Sequence, residues 1–548
     1  MTKLEMAAWD ALDNAQEKAI RRADGRSACS VESADQWCER AGADRAIDIL
    51  LGGFGPLNGQ NAKGIELQTL MWSGTADAKL VVSKRELLTD LPSPTWIARD
   101  GDMLYAVLEN TSEVASLRIV RNDKGGNDAG YCCNDEHYDN GQACGEYGDA
   151  KPRAAGLSRD GQHGDGRGGN VRDRHVRLEQ TSRVRVQGDG PTHAAVAIDD
   201  EGHRHLIVAN YGDGSLCVHR LDEQGRILPG NQLLQGEGHG PLPAQDGPHA
   251  HWVLPLPDGR VLTTDLGADR IYVHRWEHGA LRRSGEVRLA PGTGPRDMHL
   301  MPTNGRGWRV AVVNEWGCSV TVLAGGETMP SVGPSAAPQP QPQPNESGAL
   351  DRLLGNDGVQ AVQTTSLGGD DIDQAASLAY VPFELLGGKM RSDRDSGHGS
   401  AVRIGRSAQP DDSARRDDAV LPESNVHRNT AVQKDGDSHC GENVRMDERL
   451  TDGCGIVYIG LRGSDRVVAL SWDGERFARL ADPGVKDWRG RGTACGGSRP
   501  RQLVAWGTLL LAADEASNNL AAFDLSGTFE PRLIAQLEAD SPTVILQI

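Results

Sequence analysis

The chain has 548 residues, a formal net charge of −19 at pH 7, only 4% aromatic residues and 68 glycines. So acidic a balance argues against a nucleic-acid or anionic-membrane partner, and no stretch reaches the roughly 20 apolar residues of a membrane-spanning helix. The glycine content favours a chain full of tight turns over a set of long helices.

In chain order, residues 1–45 come first. Their opening run MTKLEMAAWDALDNAQEKAIRRADGR is polar and lacks the apolar core of a secretory signal, so it reads as a partly helical N-terminal extension. From residue 46 to 548 the text is β-like. One unit recurs: a short apolar run, a polar pair, a turn of Gly, Ser, Asp or Asn, then a second alternating run. It appears as AVLENTSEVASLRI from Ala106, VANYGDGSLCVHR from Val208 and TTDLGADRIYVHR from Thr263. It continues as VVNEWGCSVTVL from Val312, IGLRGSDRVVAL from Ile459 and AADEASNNLAAFDL from Ala512. In register, one column holds Leu108, Asn210, Asp265, Asn314, Leu461 and Asp514. The next holds Glu109, Tyr211, Leu266, Glu315, Arg462 and Glu515.

A second signature precedes most of these runs: Ser93-Pro94-Thr95, Gly190-Pro191-Thr192-His193, Gly247-Pro248-His249, Gly294-Pro295-Arg296 and Arg499-Pro500-Arg501. Period-2 alternation between hairpin turns makes a chain of antiparallel meanders. Repeats of about 40–55 residues with four short strands each predict an all-β propeller. Six repeats are visible, and residues 47–53 (IDILLGG) with 64–70 should join the final PTVILQI to complete a seventh blade. Three polar segments interrupt the rhythm, at 122–175, 325–365 and 385–453. They carry too few apolar residues to offset their ordering entropy and are expected to be long disordered insertions. Between the last two, residues 373–384 read as the inner strand of a blade that resumes at Gly455.

In such a blade the start of the first strand and the end of the second meet at one face. The Gly-Pro residues and the polar-pair column should therefore ring a single channel mouth, bringing together His193, His249, His251, Arg296, Arg501, Glu109, Tyr211, Glu315 and Arg462. Rigid strand ends with converging charges make the default site. Asn210, Asp265, Asn314 and Asp514 read as turn caps. Arg501 and Glu515 are placed to pair, and His193 and His299 are expected to be packed or hydrogen-bonded. His219 and His274 fall on outer-strand positions expected at the surface. None of the ten cysteines forms a C-x-x-C pair, so no metal site is expected and free thiols in a reducing cytoplasm are the simplest reading. Neither a serine nucleophile elbow nor a phosphate-binding glycine loop before a helix is present, so no nucleotide or other cofactor is expected.

The motifs GPHAH from Gly247, DLGADRIYVHR from Asp265, GPRDMH from Gly294 with VVNE after it, and VANYGDGSLCV from Val208 resemble those of the lactonase family of seven-bladed β-propellers. That family comprises propeller-type 6-phosphogluconolactonases and fungal carboxy-muconate cyclases. The resemblance covers somewhat over half the chain, is strong in blades two to four and weak in blade five. It implies catalytic roles for His251 (or His249), Arg296, Glu315 and Arg462. Substrate contacts are expected from His249, His193, Tyr211 and Arg501. The sequence departs from the pattern at Leu461-Arg462-Gly463 for N-R-G, at Asp297 for the His of G-P-R-H, and at 375–380, where a family His is lost.

Opening a δ-lactone needs an activated water, stabilisation of the carbonyl oxyanion and help for the leaving alkoxide. Glu315 or His251 is suited to the first task and the arginines to the second. The resemblance thus implies hydrolysis of 6-phospho-D-glucono-1,5-lactone in the pentose phosphate route, by a cytoplasmic monomer or weak homo-oligomer whose partner is a small anionic lactone. A related sugar lactonase or muconate-type cycloisomerase, and a non-catalytic binding scaffold, are the alternatives.

Overall fold

The computed structural model describes residues 45–72, 80–123, 174–326 (apart from 231, 304 and 306), 355–386 and 453–548 (apart from 482, 483, 486 and 528). Residues 1–44 and most of the three polar segments lie outside these, and with them the expected N-terminal helix.

Seven antiparallel sheets succeed one another along the chain. Blade one runs Pro94–Asp100, Met103–Leu108, Glu113–Asp123 and Arg174–Arg185. Blade two runs Pro191–Ile198, Arg204–Asn210, Leu216–Arg220 and Gln232–Leu234. Blade three follows as Ala250–Pro255, Val261–Asp265, Arg270–Glu277 and Ala280–Arg288, and blade four as Pro295–Met301, Trp308–Asn314, Ser319–Gly325 and Gln360–Ser366. Blade five joins Ala375–Pro382 to Gly455–Leu461 across the third polar segment and ends with Arg466–Trp472 and Phe477–Arg479. Blade six is Pro500–Trp506, Leu509–Asp514, Asn519–Asp524 and Arg532–Glu538. In blade seven the C-terminal strand Pro542–Gln547 is innermost and pairs with Arg45–Gly53, outside which lie Glu66–Trp72 and Leu80–Leu87.

The innermost strand of every blade touches those of both neighbours, and blade seven contacts blade one, so the ring is closed. Pairing the two ends of the described chain in one blade completes the ring, in which the short inner edges are protected around the channel. The core is divided accordingly. Each of seven apolar clusters fills one blade-to-blade interface, such as Leu50, Leu67, Leu104 and Leu117 between blades seven and one. Leu262, Val273, Val310 and Val312 do the same between blades three and four. Both faces of the second strands are covered, so Met103–Leu108 and Gly455–Leu461 are buried at every position. Outermost strands such as Gln360–Ser366 stay largely open.

This packing corrects two expectations. His219 and His274 sit on third strands but are fully buried, because a neighbouring blade covers the face that alternation would expose. His219 Nε2 lies 3.1 Å from Cys217 Sγ, and His274 Nε2 lies 2.9 Å from Thr263 Oγ1. The ends of the polar segments also belong to the blades: residues 122–123 and 174–175 extend strands of blade one, and 360–365 lie in the outer strand of blade four. Gln360–Ser366 has almost no apolar burial, so its composition looks like that of the loop before it.

The residue before the inner-strand proline takes a left-handed backbone in five blades: Ser93 (φ 45°), Gly190 (57°), Gly294 (63°), Arg499 (60°) and Ser541 (41°). Glycine adopts this freely, whereas a side chain there costs on the order of 1–2 kcal/mol.

Candidate active site

Two backbone devices assemble the mouth. First, the inner strand of each blade slips register directly after its first paired residue, for example between Pro94 and Trp96, Ala250 and Trp252, and Pro295 and Asp297. A bulge leaves one residue unpaired and re-aims its side chain. The residues so released include Thr95, Thr192, His251, Arg296, Arg501 and Thr543, and in blade five the pair Ala376 and Ser377; of these Thr95, Thr192, His251, Arg296, Ser377, Arg501 and Thr543, one from each blade, line one cavity of about 300 Å³. Second, the residue just after each second strand ties its N–H to the carbonyl just before the first strand. Tyr211 bonds to Gly190 at 2.8 Å, Glu315 to Gly294 at 2.7 Å, Arg462 to Gln374 at 3.0 Å and Glu515 to Arg499 at 3.3 Å. These ties hold Glu109, Tyr211, Glu315 and Arg462 against the same cavity.

At its centre Glu315 is gripped by two arginines: Oε2 is 3.1 Å from Arg296 Nε and Oε1 is 2.6 Å from Arg462 Nη2. All three side chains are buried. Burial alone would raise the Glu315 carboxyl, but the two guanidiniums outweigh it and hold the group below 4.5. Burial in turn pushes Arg462 down to about 10, against the pull of Glu315, and it remains a cation at neutral pH. Arg296 also donates through Nη1 to the Ala376 carbonyl at 2.6 Å, which fixes the plane of its fork. A second unit lies beside the first, with Arg501 Nε 2.7 Å and Arg499 Nε 3.9 Å from one oxygen of Glu515.

His251 differs from these paired groups. Its ring has no hydrogen-bond partner among the described residues, and Nδ1 is sealed from solvent. Burial, then the fields of Arg296, His193, Arg462 and Arg501, drive its basicity well below 6.5. The site therefore holds a neutral imidazole beside a net positive charge. Glu109 is shifted the other way, upward, mainly by burial. Trp96 and Trp252 form an apolar wall, backed by His193, whose ring stacks 3.8 Å from Trp252 and 4.4 Å from Trp96. Asp297, also on the wall, is fully buried and meets His299 Nε2 at 2.8 Å.

Of the residues expected at the mouth, His251, Arg296, Glu315, Arg462, Tyr211, Arg501 and Glu109 line this cavity. His193 and His249 do not. His193 is buried behind the wall, accepting the Val253 N–H at 3.2 Å, because the bulge in blade two releases Thr192 instead. His249 precedes the strand and stacks 4.5 Å from Tyr211, with Nδ1 2.8 Å from the Tyr211 carbonyl, so its place is one layer out. The expected caps are structural: Asn210 and Asn314 bond to Ser215 and Ser319 within their turns, and Asp265 accepts the N–H groups of His249 and Ala268. The Arg501–Glu515 pair forms as expected. Phe54, Trp96, Trp252, Gln374, Arg499 and Gln502 line the cavity without having been anticipated. For Arg499 a signal existed, since it occupies the glycine position of a Gly-Pro motif. Among the described residues no group of three or more His, Cys, Asp or Glu is arranged to hold a metal ion, and no helix is long and apolar enough to cross a membrane.

The class defined by this fold and site is a closed seven-bladed propeller with one arginine-rich mouth, a neutral histidine and a buried carboxylate. Comparison with known proteins agrees in kind. Residues 158–333 match the model of the family described as lactonase, 7-bladed beta-propeller. Over this stretch, about a third of its length, the chain is similar to that family. It is 33% identical over 115 residues to a 6-phosphogluconolactonase of Bacillus subtilis, spanning 21% of this chain and 33% of that protein. It is 32% identical over 123 residues to a probable 6-phosphogluconolactonase of Arthroderma benhamiae, spanning 22% and 31%. The matched stretch is thus about a third of the length of these curated relatives. In fold, the chain is similar to a periplasmic gluconolactonase of Pseudomonas aeruginosa, with a TM-score of 0.53 at 17% identity over 92% of this chain and 99% of the other. A putative 6-phosphogluconolactonase of Bacteroides fragilis gives 0.51 at 16% identity, over 92% and 98%.

Proposed function

We propose that this protein hydrolyses a sugar δ-lactone, with 6-phospho-D-glucono-1,5-lactone as its substrate in the pentose phosphate route of the cytoplasm. The observation that carries this reading is an unpartnered, neutral His251 in one cavity with two arginines that share Glu315. Glu315 is an unsuitable base, because both of its oxygens are held by cations. That leaves His251 to accept a proton from water as the water oxygen bonds to the lactone carbonyl carbon. The carbonyl oxygen becomes an oxyanion facing Arg296 and Arg462, whose attraction is strengthened by burial and costs no reorganisation. When the tetrahedral centre collapses, the ring C–O bond breaks and the protonated His251 returns its proton to the departing oxygen. An imidazolium among arginines is a strong acid, so this return is favourable.

The test is lactone hydrolysis above the spontaneous rate, measured with the phosphorylated and the unphosphorylated lactone. Absence of enhancement on either would replace the enzyme reading with that of a binding scaffold. A pH profile sharpens it. Because His251 is held well below 6.5, kcat/KM should show no histidine inflection near 6.5. A clear inflection at 6.5 would argue for an unperturbed histidine elsewhere.

A further inference from the structure

The mouth contains two units of the same composition, each a glutamate shared by two arginines, and they differ in depth. Arg296, Arg462 and Glu315 are all buried. In the second unit Glu515 is buried, Arg501 is partly open and the Arg499 side chain is 46% exposed. Arg501 is fixed by its 2.7 Å contact and by lying 5.2 Å over the Phe54 ring. Arg499 reaches the same oxygen only at 3.9 Å, and no hydrogen bond holds its guanidinium among the described residues. Two cations on one carboxylate leave a net positive charge at the rim, with an open fork suited to bidentate contact with an oxyanion.

The backbone adds an independent observation. Arg499 has φ 60° at the position that Gly190 (57°) and Gly294 (63°) fill in sister blades, and Glu515 N–H and Asp465 Oδ1 pin its main chain at 3.3 and 2.8 Å. Glycine would hold that conformation without strain. The same left-handed turn occurs at Ser93 (45°) and Ser541 (41°), so the fold imposes it, and in blade six it carries a guanidinium to the edge of the cavity.

We propose that Arg499 and Arg501 form a rim subsite for a phosphoryl group at the far end of the substrate, and that Arg499 is the specificity-determining residue of the site. The proposal rests on the lactonase reading for the rest of the substrate, whose carbonyl end lies against the buried unit.

Arg499→Gly removes the guanidinium and relieves the backbone, so it should fold at least as stably as the wild type. The ratio of kcat/KM for the phosphorylated over the unphosphorylated lactone should fall roughly 10- to 100-fold, as expected for one charge-assisted contact, and mostly through KM. Inorganic phosphate should raise the melting temperature of the wild type and have little effect on the variant. An unchanged ratio, or an equal phosphate effect in both proteins, overturns the subsite. If no lactone is hydrolysed but phosphate still stabilises only the wild type, the subsite stands and the lactonase reading falls. If both lactones are hydrolysed equally and phosphate stabilises neither protein, the lactonase reading stands and the subsite falls.

Discussion

Alanine at Arg296 is expected to lower kcat for lactone hydrolysis about 10²- to 10³-fold, the scale seen when a preorganised oxyanion donor is removed. The fold should survive. Glu315 keeps Arg462 at 2.6 Å, so no carboxylate is left buried without a cation, and the loss at the Ala376 carbonyl is a single acceptor. Lysine should restore little, because an ammonium cannot engage Glu315, the Ala376 carbonyl and a developing oxyanion together in the way a planar fork can. Steady-state rates on the lactone, set beside the melting temperature of each variant, check both halves. Full activity in the alanine variant would remove Arg296 from the reaction.

The same residue shows how far the sequence could be read. The repeats placed Gly294-Pro295-Arg296 and Asn314-Glu315 at opposite ends of paired strands, and strand topology alone brings such positions together. Blade five shows the same economy, since Ala375–Pro382 and Gly455–Leu461 pair across a long polar segment because both keep an unbroken apolar run. What repeat spacing could not supply is which residue after each proline turns inward. That depends on a one-residue register slip, invisible in composition, which sends His251 into the cavity and leaves His249 stacked on Tyr211. The slip in blade two likewise exposes Thr192 and hides His193 between two tryptophans. His219 and His274 were misread for a related reason: alternation reports the two faces of a strand, but in a ring of blades both faces are interior.

Glu315 is where stability and catalysis meet, and its replacement by glutamine is expected to destabilise the protein by about 3–5 kcal/mol, the usual cost of leaving buried charges uncompensated. Two guanidiniums would then face each other, largely buried and without their carboxylate. Activity should fall as well, because the forks of Arg296 and Arg462 lose the anchor that orients them. The stability difference should depend on pH in a definite sense. The folded state holds the Glu315 carboxyl below its ordinary 4.5, so its contribution is fully present above 4.5 and fades as pH falls through the lowered value. Urea unfolding of wild type and Glu315→Gln should therefore differ most at neutral pH and converge on acidification. A difference that stays constant down to strongly acidic pH would mean that the carboxylate charge does not hold the two arginines, and an unaltered midpoint at pH 7 would mean that water reaches this triad freely.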